Sequence, residues 1–201
     1  MSIERRVQLV EDLFYQLDQE STQFQKSSGI SCVSACGKCC TSPDLEASPL
    51  EFLPWALQLF LNGEAEKTLL MLTETDSPTC LIYKPLSISG QGRCGNYKYR
   101  GLICRLFGFA ANTDKYGNLR MSTCKIIKEG QTDNYNSTAE AITKGMPVPV
   151  FTEYYMQLNQ IDFNLGNKIL PVNKALKMAL EEVLHYYAYR SFPTDLKKKS
   201  I

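Results

Sequence analysis

The chain has 201 residues with 44% hydrophobic and 21% charged side chains, ordinary globular usage that excludes a disordered or coiled-coil protein. A formal net charge of +1 excludes the global basicity of a dedicated nucleic-acid binder, and a lone histidine, His185, removes most imidazole-based metal sites and Cys-His or Ser-His catalysis. No apolar run reaches the roughly 18 residues of a bilayer span, and the first ten residues lack a secretory apolar core, so the reading is cytoplasmic with no membrane partner.

Along the chain, Ile3, Val7, Val10, Phe14 and Leu17 recur at spacings of three and four, which predicts an amphipathic helix over 3–26 that ends at Ser27-Ser28-Gly29. The run C-V-S-A-C-G-K-C-C follows, placing Cys32, Cys36, Cys39 and Cys40 within nine residues. Gly37 relaxes the backbone where a positive φ or a close approach is needed. Ser48-Pro49-Leu50-Glu51 starts a helix through Leu61 as a capping box, with Asn62-Gly63 as its stop and Pro54 as a kink or restart. Residues 64–72 read as a further short helix.

Cys80 opens the next segment, followed by a polar loop from Ser87 to Gly92 and then C-G-N-Y-K-Y-R-G-L-I-C-R, which carries Cys94, Tyr97, Arg100, Cys104 and Arg105. Residues 107–123 read as a hairpin with its turn at Asn112–Asn118, bringing Cys104 and Cys124 toward each other at the open end. Helices are expected at Ser137–Lys144, at 151–161 and from Pro171 to about Arg190, with a Pro147/Pro149 linker between the first two. The basic tail Lys197–Lys199 reads as a solvated end.

All eight cysteines lie between residues 32 and 124. Scattered core cysteines do not cluster in this way. Four disulfides would need an oxidising compartment, and adjacent Cys39 and Cys40 would need separate partners. Thiolate ligation of a metal in a reducing cytosol is the better account, with Cys32, Cys36, Cys39, Cys40, Cys80, Cys94, Cys104 and Cys124 as candidate ligands.

In this pattern the chain resembles the C-x-x-x-C-x-x-C-C cysteine-cluster family, the YkgJ-like zinc- or iron-chelating proteins. The resemblance rests on Cys32, Cys36, Cys39, Cys40, Cys80, Cys94, Tyr97, Arg100, Cys104 and Arg105 and covers roughly residues 30 to 125. Gly101 stands where the family prefers Pro, Gly108 where another Pro is common, and the loop between Cys80 and Cys94 is longer than usual. The resemblance implies metal binding. One branch, the flagellin lysine N-methylases, carries such a cluster within a larger enzyme.

Both zinc and an iron–sulfur cluster take soft thiolates. Two spacing arguments lean toward the cluster: Cys39 and Cys40 would crowd one tetrahedral ion, and C-x3-C-x2-C is the spacing that holds the cluster of radical-SAM enzymes. The repeating βα pattern of those enzymes is absent. From Gln91 to Lys128 there are eight basic residues and one acid, Asp114, a bias suited to an anionic metal centre. Arg100, Arg105 and Tyr97 are the candidate cofactor-binding side chains, the arginines also suiting a small anionic cosubstrate. His185, Trp55 and the tyrosines 154, 155, 186, 187 and 189 read as packing or surface residues, and Glu181-Glu182 as an exposed helix face.

The expected fold is mainly α with a small β-hairpin, its helices wrapped around a cysteine-rich metal-binding core. A single domain spans 1–201, with a metal-binding region over 30–128 and a helical covering region over 134–190. The expected function is metal binding, as an iron–sulfur cluster (slightly preferred) or Zn2+. The alternative is a cluster-dependent enzyme, a SAM-using protein modification or methyl transfer.

Overall fold

The computed structural model describes residues 1–86 and 91–192. Most of the loop expected at Ser87–Gly92 and the whole Lys197–Lys199 tail lie outside the described residues.

The amino-terminal periodicity builds α1 (Ile3–Ser28), capped by the Ser2 hydroxyl, which accepts the Arg5 N–H at 3.2 Å. It stops at Gly29, whose φ of 67° only glycine adopts without cost. The short strand β1 (Glu46–Ala47) precedes a 3-10 turn, Pro49–Phe52, in which Glu51 Oε1 accepts the Ser48 N–H at 2.8 Å, the carboxylate half of the expected capping box. A fresh helix, α2 (Leu53–Asn62), then starts with Pro54 in its first turn, where a missing N–H costs nothing. It ends at Gly63 as the sequence predicts, and α3 (Ala65–Glu74) follows.

Next come β2 (Tyr83–Pro85) and β3 (Gly92–Cys94), the one-turn α4 (Leu102–Leu106), and the expected hairpin of β4 (Ala110–Thr113) and β5 (Leu119–Ser122). After it the chain forms α5 (Lys125–Gly130), α6 (Thr132–Thr143), α7 (Phe151–Ile161), α8 (Phe163–Gly166), β6 (Leu170–Pro171) and α9 (Val172–Tyr187). Among the described residues the strands form three antiparallel pairs: β1 with β6, β2 with β3, and β4 with β5. The Pro147/Pro149 segment is more than a linker, because Pro149 O accepts the Ala111 N–H at 2.8 Å and Val150 bridges Ala111 in parallel.

The protein is thus mainly helical with small antiparallel β pairs. Its centre, however, is apolar. Val10 and Leu17 of α1, Leu53 and Ala56 of α2, and Leu176 and Leu180 of α9 are fully buried together. Each buried leucine contributes about 1.5–3 kcal/mol relative to exposure. Ala175 and Ala179 leave room on α9 for close packing. The helices therefore wrap this apolar core and not a cysteine-rich one, since area burial drives helix packing whereas a ligand thiol needs a path to its metal. Cys40 and Cys80 are buried members of the apolar cluster, and Cys94 packs against it.

Buried Arg6 ties three elements by donating to Asp162 Oδ2 at 2.7 Å and to Glu182 Oε1 at 2.8 Å. Glu182 is therefore a partner of α1, in place of the plain exposed face expected of it. A smaller cluster of Phe24, Ile30, Phe109, Ile127 and Ile142 joins the end of α1 to the hairpin, α5 and α6. Among the described residues, no helix is long and apolar enough to cross a membrane.

Candidate metal centre

The cysteine run begins where Ser31 is clamped to Gln131: Ser31 N–H donates to Gln131 Oε1 at 3.0 Å and Gln131 Nε2 donates to Ser31 O at 2.7 Å. Gln131 follows α5, so this pair docks the start of the cysteine run on the end of that helix. The loop then turns through two left-handed residues, Ala35 (φ 55°) and Gly37 (φ 58°). Gly37 meets both needs foreseen for it, since a Cβ there would come within 2.8 Å of the Gly92 backbone. Gly92 N–H in turn donates to Ala35 O at 3.1 Å, docking the loop on β3.

A 3-10 turn, Lys38–Thr41, carries the adjacent cysteines. Successive side chains on such a turn diverge by roughly 120°. Cys40 accordingly enters the core edge while Cys39 stays exposed.

The second group is assembled by different contacts. Cys80 N–H donates to Cys40 O at 2.9 Å. Asn173, in the first turn of α9, accepts the Leu81 N–H at 2.8 Å and donates to Ser77 O at 2.9 Å and Thr79 O at 2.8 Å, so one side chain fixes the Cys80 loop. Cys94 lies opposite Tyr83 in the β2–β3 pair. Cys104 sits in α4, whose first turn is held by Glu51 Oε2 accepting the Ile103 N–H at 2.9 Å. Gly101 has a φ of −67° that proline also adopts, but a Cβ there would lie 2.8 Å from Glu51 Oε2 and 3.0 Å from the Phe52 ring. The Glu51 carboxylate and the Phe52 ring thus leave no room for a larger residue at this position.

None of the eight cysteines is in a disulfide. Cys39 is central to their electrostatics. Burial raises the thiol of Cys32, with Cys36, Cys39 and Cys124 adding to the rise. Burial also raises Cys104, helped by Glu51 and by Cys80, Cys39 and Cys94. Cys80 is pushed up to about 11 by burial, and Cys94 rises for the same first reason, with Cys39 contributing to both. Cys39 itself is lowered, chiefly by a hydrogen bond from the Cys40 thiol and then by backbone N–H groups and Arg100, while Cys40 is raised by the same bond. Cys39 thus acts on Cys32, Cys40, Cys80, Cys94 and Cys104. The hairpin was expected to bring Cys104 and Cys124 toward each other across its open end, and there Gly108 N–H donates to Ser122 O at 3.1 Å.

Arg100 is the cation that favours the charged forms of Cys32, Cys39 and Cys94. It stacks on the Tyr97 ring at 4.2 Å, donates to Tyr97 Oη at 2.5 Å, and reaches Asp18 Oδ1 at 3.5 Å. Arg105 is buried over the Phe14 ring, and all three guanidinium nitrogens are committed within the chain: Nε to Arg100 O at 3.1 Å, Nη2 to Lys98 O at 2.8 Å, and Nη1 to Asp18. Elsewhere in the basic stretch, Arg120 pairs with Asp114 and Lys125 with Glu129. Discounted His185 is exposed on α9, and Trp55 is core.

Among the described residues, no three His, Cys, Asp or Glu side chains are placed to hold one metal ion as they stand. The thiols are gathered but not closed. Beside Cys39 and Cys104 lies a cavity of about 630 Å³, walled by α4, α7 and the segment after α8. Sequence reasoning missed Asp18, Gln131 and Asn173, because each acts on a segment distant in the chain. Glu51 was seen only as a cap.

Residues 31–125 match the family model CxxCxxCC, described as a "Putative zinc- or iron-chelating domain". No curated protein and no solved structure matches the chain.

Proposed function

We propose, from the match of residues 31–125 to the CxxCxxCC model of a zinc- or iron-chelating domain, that this chain holds zinc or an iron–sulfur cluster by its cysteine thiolates. The observation that supports this most strongly is the docking of the cysteine segments on one another, Cys80 N–H donating to Cys40 O at 2.9 Å and Gly92 N–H to Ala35 O at 3.1 Å, within the stretch that matches the family model. A donor set of gathered soft thiols fits either metal.

Cys32, Cys36, Cys39 and Cys124 would form one ligand set, and Cys40, Cys80, Cys94 and Cys104 the other. Sequence spacing favours an iron–sulfur cluster, whereas the division into two sets of four favours a pair of zinc sites. When bound, the metal supplies cross-links between segments that the chain itself joins by a few hydrogen bonds. Burial keeps most of these thiols protonated in the metal-free chain, and backbone N–H groups offset this only in part: that of Asn96 at Cys94 and those of Ile82 and Tyr83 at Cys80, while Cys124 Sγ accepts the Ile127 N–H at 3.4 Å. Arg100, carried on Tyr97, offsets the negative charge, and Arg105 positions the 98–100 segment that presents it. A reducing, cytoplasmic compartment belongs to the same proposal.

Anaerobic purification followed by elemental analysis and a visible spectrum tests this reading. A brown protein with a broad band near about 400 nm and roughly four irons with matching sulfide marks a cluster. A colourless protein with about two tightly held zincs marks closed structural sites. Cys36→Ser and Cys39→Ser are each expected to lose metal, and full metal content in both would remove the ligand assignment.

The second reading is a cluster-dependent protein modification or methyl transfer. It draws its support from the cavity, which leaves open space beside Cys39 and Cys104.

A further inference from the structure

The cavity beside Cys39 and Cys104 has the size and lining of a small-molecule site. Its volume of about 630 Å³ falls within the range of roughly 300–1,000 Å³ that holds compact organic ligands. Leu45, Ile103, Phe107, Phe151 and Ile169 give it apolar walls. Thr152 and Tyr155 of α7 add hydroxyls, and Asn112, Asn159 and Asn167 add amides.

The charge of the lining has one sign. Asp44 and Glu46 both line the cavity, while no Lys, Arg or His does. The carboxylate of Glu51 lies behind the wall, accepting from Tyr155 Oη at 3.1 Å. The basic side chains that once suggested an anionic cosubstrate are elsewhere: Arg100 and Arg105 face Asp18. An anion entering this cavity would meet two carboxylates and no counter-charge. A cation with an apolar body would find acceptors at one end and aliphatic or aromatic walls for the rest.

We propose that this cavity binds a small free organic amine, its ammonium group directed to Asp44 and Glu46 and its apolar body seated against Ile103, Phe107 and Phe151. The proposal goes beyond metal holding and does not rest on it, because the walls and the two carboxylates are in place without a bound ion. Cys39 and Cys104 would set such a ligand beside the metal centre.

Three isosteric probes test it on the full chain as purified: benzylamine, benzyl alcohol and benzoate, titrated by ligand-observed NMR. Benzylamine is expected to bind about tenfold tighter than the alcohol, with benzoate weakest, as facing carboxylates at a partly exposed site require. Thr152 is exposed on α7, so T152W should leave the fold intact by circular dichroism while filling the cavity and abolishing binding of all three. The double variant Asp44→Asn, Glu46→Gln should keep binding but bring benzylamine to the level of the alcohol. The proposal is overturned if no probe binds the natural chain, if benzoate binds as well as benzylamine, if folded T152W binds unchanged, or if the double variant keeps the amine preference. Metal content, measured on the same samples, reports separately on the thiol reading.

Discussion

The helical frame and the cysteine segments are held by different kinds of interaction. In the frame, α1, α2 and α9 hide whole side chains such as Leu17, Leu53 and Leu180 from water. Between Ser31 and Thr41, by contrast, Cys40 alone is buried. The thiol segments are fixed by point contacts: Gln131 on Ser31, Asn173 on the Cys80 loop, Glu51 on α4, and strands of two to four residues. Burial is non-directional and accumulates with area, so the frame is over-determined. A segment held by one side chain stays near its place without being locked there. Thiols held in this way are gathered around Cys39 but await a further cross-link, which a metal would provide.

The largest expected effect lies in the frame. Leu180→Ala should cost about 3 kcal/mol by chemical denaturation, with or without metal, because it opens a cavity in the fully buried core. A loss below about 1 kcal/mol would show that the frame repacks freely and that the contrast is too sharp.

Glu51 joins the two regions and comes next. Glu51→Ala strips the Ser48 and Ile103 N–H groups and the Tyr155 hydroxyl of their acceptor, at a cost of about 2–3 kcal/mol. Its carboxyl is raised, foremost by burial, so the folded chain binds that proton more readily than the unfolded one. Glu51's contribution to stability is therefore complete below the ordinary carboxylate range and is lost as pH rises through the raised value. Urea midpoints across acidic to neutral pH should fall in the natural chain and flatten in Glu51→Gln. Parallel curves would place the pH dependence elsewhere.

Asn173→Ala should cost about 1–2 kcal/mol and speed metal loss to a chelator, since it frees the Cys80 loop from α9. An unchanged loss rate would mean that the loop is held by other contacts. The smallest effect runs the other way. Ala35→Gly should stabilise the metal-free chain by about 0.5 kcal/mol, because relief of the left-handed alanine outweighs the added freedom of glycine when unfolded. A decrease in stability would show that Ala35 is not strained.

The same contrast governs what the sequence made legible. Helices α1, α7 and α9 could be read because apolar residues repeat locally, and the β4–β5 hairpin because Asn112–Asn118 carries its own turn chemistry. The β1–β6 pair joins two-residue strands far apart in the chain, with no period to announce it. Clustered cysteines announced thiol chemistry, but not what holds their segments in place. Gln131 and Asn173 do so, and their sequence neighbourhoods give no sign of a partner. The arginines were legible as motif residues. Their fate was not, because Asp18 lies on the face of α1 that meets them.

Hydrogen exchange, comparing the metal-loaded protein with the same protein stripped by a chelator, tests the central claim most directly. The expected result is protection lost in residues 31–41, 80–95 and 104–125, with α1, α2 and α9 unchanged. Uniform loss across the helices, or no loss around the cysteines, would contradict a self-sufficient frame carrying a metal-dependent thiol region.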